Sequence, residues 1–194
     1  MIQYIFEYPF LTRIFNEILD DRSKINLISC SKIINQYKFK LRFNDRYICL
    51  PQYQDKWFFN CLTNISVGDN FKFPENVTRL HYWHIGPFPT FISDKIIYLE
   101  FGVYLNSAIA EFKDSKFVKS YIPNSVKHLT LGYYFNQEII GLPNSIETLI
   151  LYTNKCCEIV ELPKSLTYLK IRSKFAERIR DFRSENTKIE FFKK

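Results

Sequence analysis

Three stretches of the chain are near copies of one another: Ile122-Pro-Asn-Ser-Val-Lys-His-Leu-Thr-Leu131, Leu142-Pro-Asn-Ser-Ile-Glu-Thr-Leu-Ile-Leu151 and Leu162-Pro-Lys-Ser-Leu-Thr-Tyr-Leu-Lys-Ile171. Each begins 20 residues after the last. The apolar start, the proline, the serine two residues on and the closing apolar pair keep their offsets in all three, which marks a structural repeat and not low complexity. Weaker copies flank them: Pro74 with Val77, Leu80 and Tyr82, then Ile96, Leu99 and Phe101, and finally Ile189 and Phe191. The first members of the closing pairs fall at 80, 99, 129, 149, 169 and 189, so the interval of 30 between Leu99 and Leu129 carries about ten extra residues. The excess is expected in Ala110-Glu-Phe-Lys-Asp-Ser-Lys-Phe-Val-Lys-Ser120, as a surface loop.

In Val126-x-x-Leu129-x-Leu131 the last two apolar residues are two apart, which puts both on one face of a short strand and turns the residue between them outward. The preceding Pro-Asn-Ser or Pro-Lys-Ser fixes one φ and offers a side chain able to bond its own backbone, the chemistry of a corner. A strand and a corner every 20 residues predict strands that stack in parallel, with the return segment crossing behind them: a solenoid. One repeat holds too few apolar side chains to offset the ordering of its own backbone, so stability must come from stacked neighbours.

With proline, strand and Phe-Asn elements in this order, the region resembles the FNIP repeat, a variant of the leucine-rich repeat. The residues that carry the resemblance are Ile122-Pro-Asn-Ser, Leu129-Thr-Leu131-Gly132 and Phe135-Asn136-Gln137, and it covers roughly residues 60–194. The chain departs from the pattern at Leu105-Asn106, at Lys155-Cys156 and at Asn186. Repeats that lack the Asn are expected to have looser corners, because that side chain would bond turn backbone.

Ahead of the repeats, Phe10, Leu11, Ile14 and Ile18 form one apolar stripe behind Pro9, at helical spacing. Asp20-Asp21-Arg-Ser23 interrupts it with cap and turn residues, and Leu27, Cys30, Ile34 and Tyr37 form a second stripe. Two such short helices make a poor independent domain and need something to pack on. Helix, acidic turn and Leu27-x-x-Cys30-Ser31-Lys32 together resemble a divergent F-box, with Tyr8-Pro9-Phe10 in place of the family's Leu-Pro opening and without its usual Trp. F-box segments precede FNIP repeats in proteins of amoebae and their large viruses. The resemblance implies that Pro9, Phe10, Leu11, Ile14, Ile18, Leu27 and Cys30 dock on a Skp-type adaptor of a cullin ubiquitin ligase. The other reading is that residues 1–45 cap the first rung of the solenoid, and the two are compatible.

Composition bounds the chemistry. Five cysteines without a Cys-x-x-Cys spacing read as reduced thiols of an intracellular protein, and the adjacent Cys156-Cys157 has no completing ligand set nearby. The start Met-Ile-Gln-Tyr-Ile-Phe-Glu-Tyr-Pro does not read as a signal peptide, and no run approaches the roughly 18 apolar residues of a membrane span. His81-Trp-x-His84 lacks further ligands, the five glycines form no phosphate loop, and no nucleophile stands beside a base at a recognisable spacing, so neither enzyme activity nor a cofactor is expected. The net charge of +7 admits nucleic-acid binding, yet the Lys and Arg residues are scattered and no nucleic-acid motif is present.

The expected fold class is α+β: an F-box-like helical head over residues 1–45, a connecting segment over 46–70 and a leucine-rich-repeat-like solenoid of short parallel strands over 71–194. The residues that flank each buried pair should line up at about 4.8 Å per rung and form the recognition face. These are Arg79, His81, Trp83, Tyr98, Glu100, His128, Thr130, Thr148, Ile150, Tyr152, Tyr168, Lys170 and Arg172. Aromatic and basic side chains predominate there, which suits capture of a target protein. The expected function is that of a substrate-recruiting adaptor, with a protein-interaction module free of any ligase link as the alternative.

Overall fold

The structure, a computed structural model, describes residues 19–29, 42–44, 47–48, 62–67, 74–83, 88–89, 92–154, 157–176, 179 and 186–192. The chain divides into two compact units, one of residues 1–66 and 70–78, the other of residues 67–69 and 79–194. Elements are numbered in chain order among the described residues.

In the first unit helix α1 (Asp21–Ser29) begins where the sequence supplies a cap. The Ser23 amide donates a 2.7 Å hydrogen bond to Asp20 Oδ1, which satisfies an orphan donor of the first turn and holds the Asp20 carboxyl below its ordinary pKa. Lys24 is fully buried. Its Nζ donates to Asp21 Oδ1 at 3.1 Å and to the Arg42 carbonyl at 2.7 Å, and Asp21 Oδ1 also accepts from the Asn44 amide at 3.1 Å. A buried ammonium persists only with such partners, so this pair ties α1 to residues 42–44.

Ile65 and Val67 lie in β2 (Asn64–Val67), which runs parallel to β1 (Tyr47–Ile48) with Tyr47 opposite Ile65. Phe43 and Leu62 form a parallel bridge in the same sense. Of the expected helical head, Pro9, Phe10, Leu11, Ile14, Ile18 and Cys30 lie outside the described residues, and Leu27 falls within α1.

The second unit contains β3 (Arg79–Tyr82), β4 (Tyr98–Phe101), β5 (Ala110–Lys113), β6 (Lys116–Ser120), β7 (His128–Leu131), β8 (Thr148–Leu151), β9 (Tyr168–Arg172) and β10 (Lys188–Phe192). All but β5 and β6 belong to one sheet, in the order β3-β4-β7-β8-β9-β10, with every pair parallel. Leu80, Leu99, Leu129, Leu149, Leu169 and Ile189 stand opposite one another from rung to rung. The first five are at most 2 % exposed, so residues one repeat apart build a single apolar wall. Tyr82, Phe101, Leu131, Leu151 and Ile171 make a second buried column beside it, and Ile96, Val126, Ile146 and Leu166 a third. This is a parallel-strand β-solenoid. Ile139 and Ile159 form a further parallel bridge in the returning segments, where Phe135 is also buried.

The corners differ from expectation in one respect. The proline carbonyl closes each turn by accepting the amide three residues on, as in Val126 to Pro123 at 3.1 Å and Ile146 to Pro143 at 3.2 Å. The serine, expected to bond its own turn, reaches the previous rung instead: Ser145 Oγ donates to the Val126 carbonyl at 2.8 Å and Ser165 Oγ to the Ile146 carbonyl at 2.7 Å. Stacking offers Ser145 and Ser165 a carbonyl one rung away, which a single turn could not; the buried Ser125 Oγ of the first copy has no hydrogen-bond partner among the described residues. The Asn side chains act likewise between rungs, with the Asn136 amide donating to Asn106 Oδ1 at 3.0 Å and the Lys164 amide to Asn144 Oδ1 at 3.1 Å.

The extra residues between Leu99 and Leu129 are not a plain loop. They form an antiparallel hairpin, β5 with β6, turned through Asp114 and Ser115 at φ 51° and 61°. Its root is seated at Gly141, whose φ of 69° favours glycine and where a Cβ would strike the Phe117 ring and Ala110, so the close approach excludes a side chain. After β9 comes a 3-10 turn at Ser173–Phe175, and Phe175 and Ile179 are buried.

Candidate functional site

The alternation of the strands turns one set of side chains out of the solenoid wall. In β3, β4, β7, β8 and β9 the residue between the two buried ones is half-buried, and the parallel register aligns these residues across rungs. Arg79, Tyr98, His128, Thr148, Tyr168 and Lys188 form one row; His81, Glu100, Thr130, Ile150, Lys170 and Glu190 form the next. Trp83, Tyr152 and Arg172 continue a third row at the strand ends. The structure therefore gathers all thirteen residues named from the sequence onto one side of the sheet.

Neighbouring rungs lock this face side chain by side chain. The Arg79 guanidinium lies 3.6 Å from the centre of the Tyr98 ring, and Tyr98 stacks on His128 with centroids 4.1 Å apart and planes 6° from parallel. Burial pushes the His128 imidazole below its ordinary pKa of 6.5; Glu147 opposes this, while Arg79 and Lys127 add to it. Lys127 pairs with Glu147 at 2.8 Å, and Lys170 with Glu190 at 2.5 Å. The Tyr168 hydroxyl donates to Glu190 at 2.7 Å, so the lysine and the phenol together hold the Glu190 carboxyl below its ordinary value. Solvent screening leaves exposed pairs of this kind little weight in stability, and their effect is to fix side-chain positions along the face.

The third row contains a gap. Between Trp83 and Tyr152 it holds Gly102 and Gly132, and the rungs close up there so far that a Cβ on Gly132 would lie 2.0 Å from the Gly102 carbonyl oxygen. Neither glycine has a positive φ, so close approach and not turn geometry is what demands them. With no side chains over this floor, a trough of about 760 Å³ opens, walled by Trp83 and Tyr152 and flanked by Tyr104 and Tyr133, with His81 and Glu100 at one side. Trp83 is 47 % exposed and Tyr152 44 % exposed. Tyr104 stacks on Tyr134 at 5.6 Å, and Arg172 supports two of the lining residues from beside the trough: its Nε donates to the Tyr152 carbonyl at 3.3 Å and its guanidinium lies 5.4 Å from the Tyr133 ring.

Val103, Tyr104 and Tyr133 are trough residues that strand alternation did not select, because they lie past the strand ends. The signal for them is Gly-Val-Tyr104 aligned with Gly-Tyr-Tyr134, one repeat apart. His81, half of the His81-Trp-x-His84 pattern, lies 3.8 Å from Glu100, and His84 is outside the described residues. Among the described residues no group of three or more His, Cys, Asp or Glu is placed to hold a metal ion, and no helix is long and apolar enough to cross a membrane.

Residues 114–154 match the FNIP Repeat family, and these residues comprise β7, β8 and the Gly132 floor of the trough. Among solved structures, the chain is similar to CroV588, described as a novel circular LRR protein structure, with 28 % sequence identity and a TM-score of 0.40. That alignment covers 66 % of this chain and 22 % of the other, so the chain spans under a quarter of the length of the structure it matches. Among curated proteins no match is found.

Proposed function

We propose that this chain is a recruiting adaptor whose solenoid captures a target protein on its outward face. The observation that supports this reading most directly is the trough: exposed Trp83 and Tyr152 stand over a bare glycine floor, on a face whose other side chains are held in place by neighbouring rungs. Exposed aromatic side chains clustered around a pocket and held rigid are the kind of anchor that dominates protein interfaces. The leucine-rich-repeat-like architecture and the FNIP match fit a protein-interaction module.

The finer assignment, delivery of the target to a Skp/cullin-type ubiquitin ligase, rests on the sequence Leu27-x-x-Cys30-Ser31-Lys32, of which Leu27 lies in α1. Ile25 on α1 is 46 % exposed. In this role the chain contributes proximity, raising the effective concentration of the target near catalytic partner subunits.

Affinity capture with full-length chain tests both halves at once. Ile150→Asp should abolish recovery of the target and leave a Skp-type adaptor bound; Ile25→Asp should do the reverse. A target recovered equally by wild type and Ile150→Asp contradicts the recognition face. Failure of the wild-type chain to retain any Skp-type adaptor removes the ligase link and leaves the interaction module.

A further inference from the structure

Four rings on the outward side of the second unit lie under a cation from another rung: Tyr98 under Arg79 at 3.6 Å, Phe192 under Lys170 at 5.1 Å, Tyr133 under Arg172 at 5.4 Å and Tyr168 under Lys188 at 6.0 Å. Trp83, whose indole is the best cation acceptor among aromatic side chains, has none. It is 47 % exposed, and among the described residues no cation and no second ring lies against it. The bare floor accounts for this, because the position one rung on is Gly102, which has no side chain to reach across. His81 and Glu100 stand on the same two rungs as Trp83 and Gly102, so the carboxylate of the trough is at the Trp83 end. Every other lining residue is aromatic, aliphatic or glycine.

An exposed indole near a carboxylate complements positive charge, and the lining selects which kind. A primary ammonium or a guanidinium brings N–H donors that each need an acceptor, which rings and glycines supply poorly. A quaternary ammonium has no N–H and is held by ring faces. Trp83 and Tyr152 are three strand spacings apart, about 14 Å, so one such head cannot touch both. The length left over takes the aliphatic stem of a long side chain, laid on the Gly102–Gly132 floor toward Tyr152. From this charge complementarity we propose that the trough binds a trimethylated lysine side chain of the captured protein, with its ammonium head on Trp83 at the Glu100 end. This deepens the recognition-face reading and rests on it.

The test uses the full chain and three labelled peptides, with binding followed by fluorescence polarisation: Gly-Ser-Lys-Ser-Gly with its lysine trimethylated, with it unmodified, and with the trimethylammonium nitrogen replaced by carbon. The last has the same shape and no charge. The trimethylated peptide should bind at least about fivefold more tightly than either, the ratio that a cation–π contact of about 1 kcal/mol gives. Trp83→Ala, a change at an exposed position, should remove the preference with the unfolding midpoint unchanged, and Trp83→Phe should retain part of it. Glu100→Gln should weaken the trimethylated peptide and leave the carbon analogue as it was. Equal affinity for the charged and uncharged peptides, tighter binding of unmodified lysine, or no binding of the trimethylated peptide up to about 1 mM overturns the proposal. So does a preference that survives Trp83→Ala, or binding of phosphatidylcholine vesicles in place of the peptide. If the peptides fail while Ile150→Asp still abolishes target capture, the recognition face stands and only the methylated lysine is lost. If capture ignores Ile150→Asp, the broader reading falls first.

Discussion

Leu149→Asp is expected to unfold the solenoid unit, while Ile150→Asp, one residue further on, leaves it folded. Leu149 is fully buried, with Leu129 opposite it on one rung and Leu169 on the next. Truncating such a leucine costs about 2–5 kcal/mol through lost transfer energy and cavity, and an unpaired carboxylate in the same place adds several more. The sum is comparable with the whole stability of a domain, about 5–15 kcal/mol. Because rungs stabilise each other only through their stacked faces, the damage passes to β7 and β9 and is not confined to β8. Ile150 is half-buried on the outward side between Thr130 and Lys170, where the change removes mainly strand propensity, about 1 kcal/mol. Circular dichroism and thermal melts of the two variants would separate them. Equal loss of structure in both would mean that the inward and outward faces are wrongly assigned.

Gly132→Ala should destabilise the same unit by about 3 kcal/mol, the upper end for overpacking. The added methyl would lie 2.0 Å from the Gly102 carbonyl oxygen, 2.7 Å from its carbon and 3.1 Å from the Val103 Cα, so backbone rather than a flexible side chain must yield. Separating the two rungs there also strains neighbouring bonds, including the Tyr134 amide to the Val103 carbonyl at 3.0 Å. For a chain of 150–250 residues this corresponds to a fall of roughly 6–12 °C in the unfolding midpoint. The trough floor would be occupied at the same time, so target capture should weaken even in the fraction that folds. A midpoint unchanged within about 2 °C would mean that the rungs do not approach so closely at this point.

The solenoid was legible because its determinant is local and repeated. A buried pair two residues apart, after a proline corner and at a constant interval, leaves little choice of face, and Leu129, Leu149 and Leu169 fell where the period put them. What bridges rungs was less legible. Ser145 and Ser165 carry turn chemistry in the sequence, and only the stack reveals that the nearer unsatisfied carbonyl belongs to the rung before. The hairpin at 110–120 was hidden for a different reason: β6 is exposed along its length and the turn is Asp114-Ser115, so neither one-sided burial nor a glycine marks it. Gly102 and Gly132 directly follow apolar pairs in the sequence, but a trough arises only once the register stacks them between Trp83 and Tyr152. In the first unit, Lys24 would be placed on the surface by composition alone; the carboxylate of Asp21 and the carbonyl of Arg42 make its burial possible.

The most direct measurement of the central claim, that successive strands run parallel with residues one repeat apart in register, is disulfide formation between engineered cysteines. The parallel register sets His128 opposite Thr148 and leaves Tyr152 four residues farther on, about 13 Å along the strand. Oxidation of His128→Cys with Thr148→Cys should give a linked peptide by mass mapping, and His128→Cys with Tyr152→Cys should not. Linkage of 128 to 152 with none to 148 is the signature of antiparallel strands, and would remove the solenoid together with the face and trough it builds.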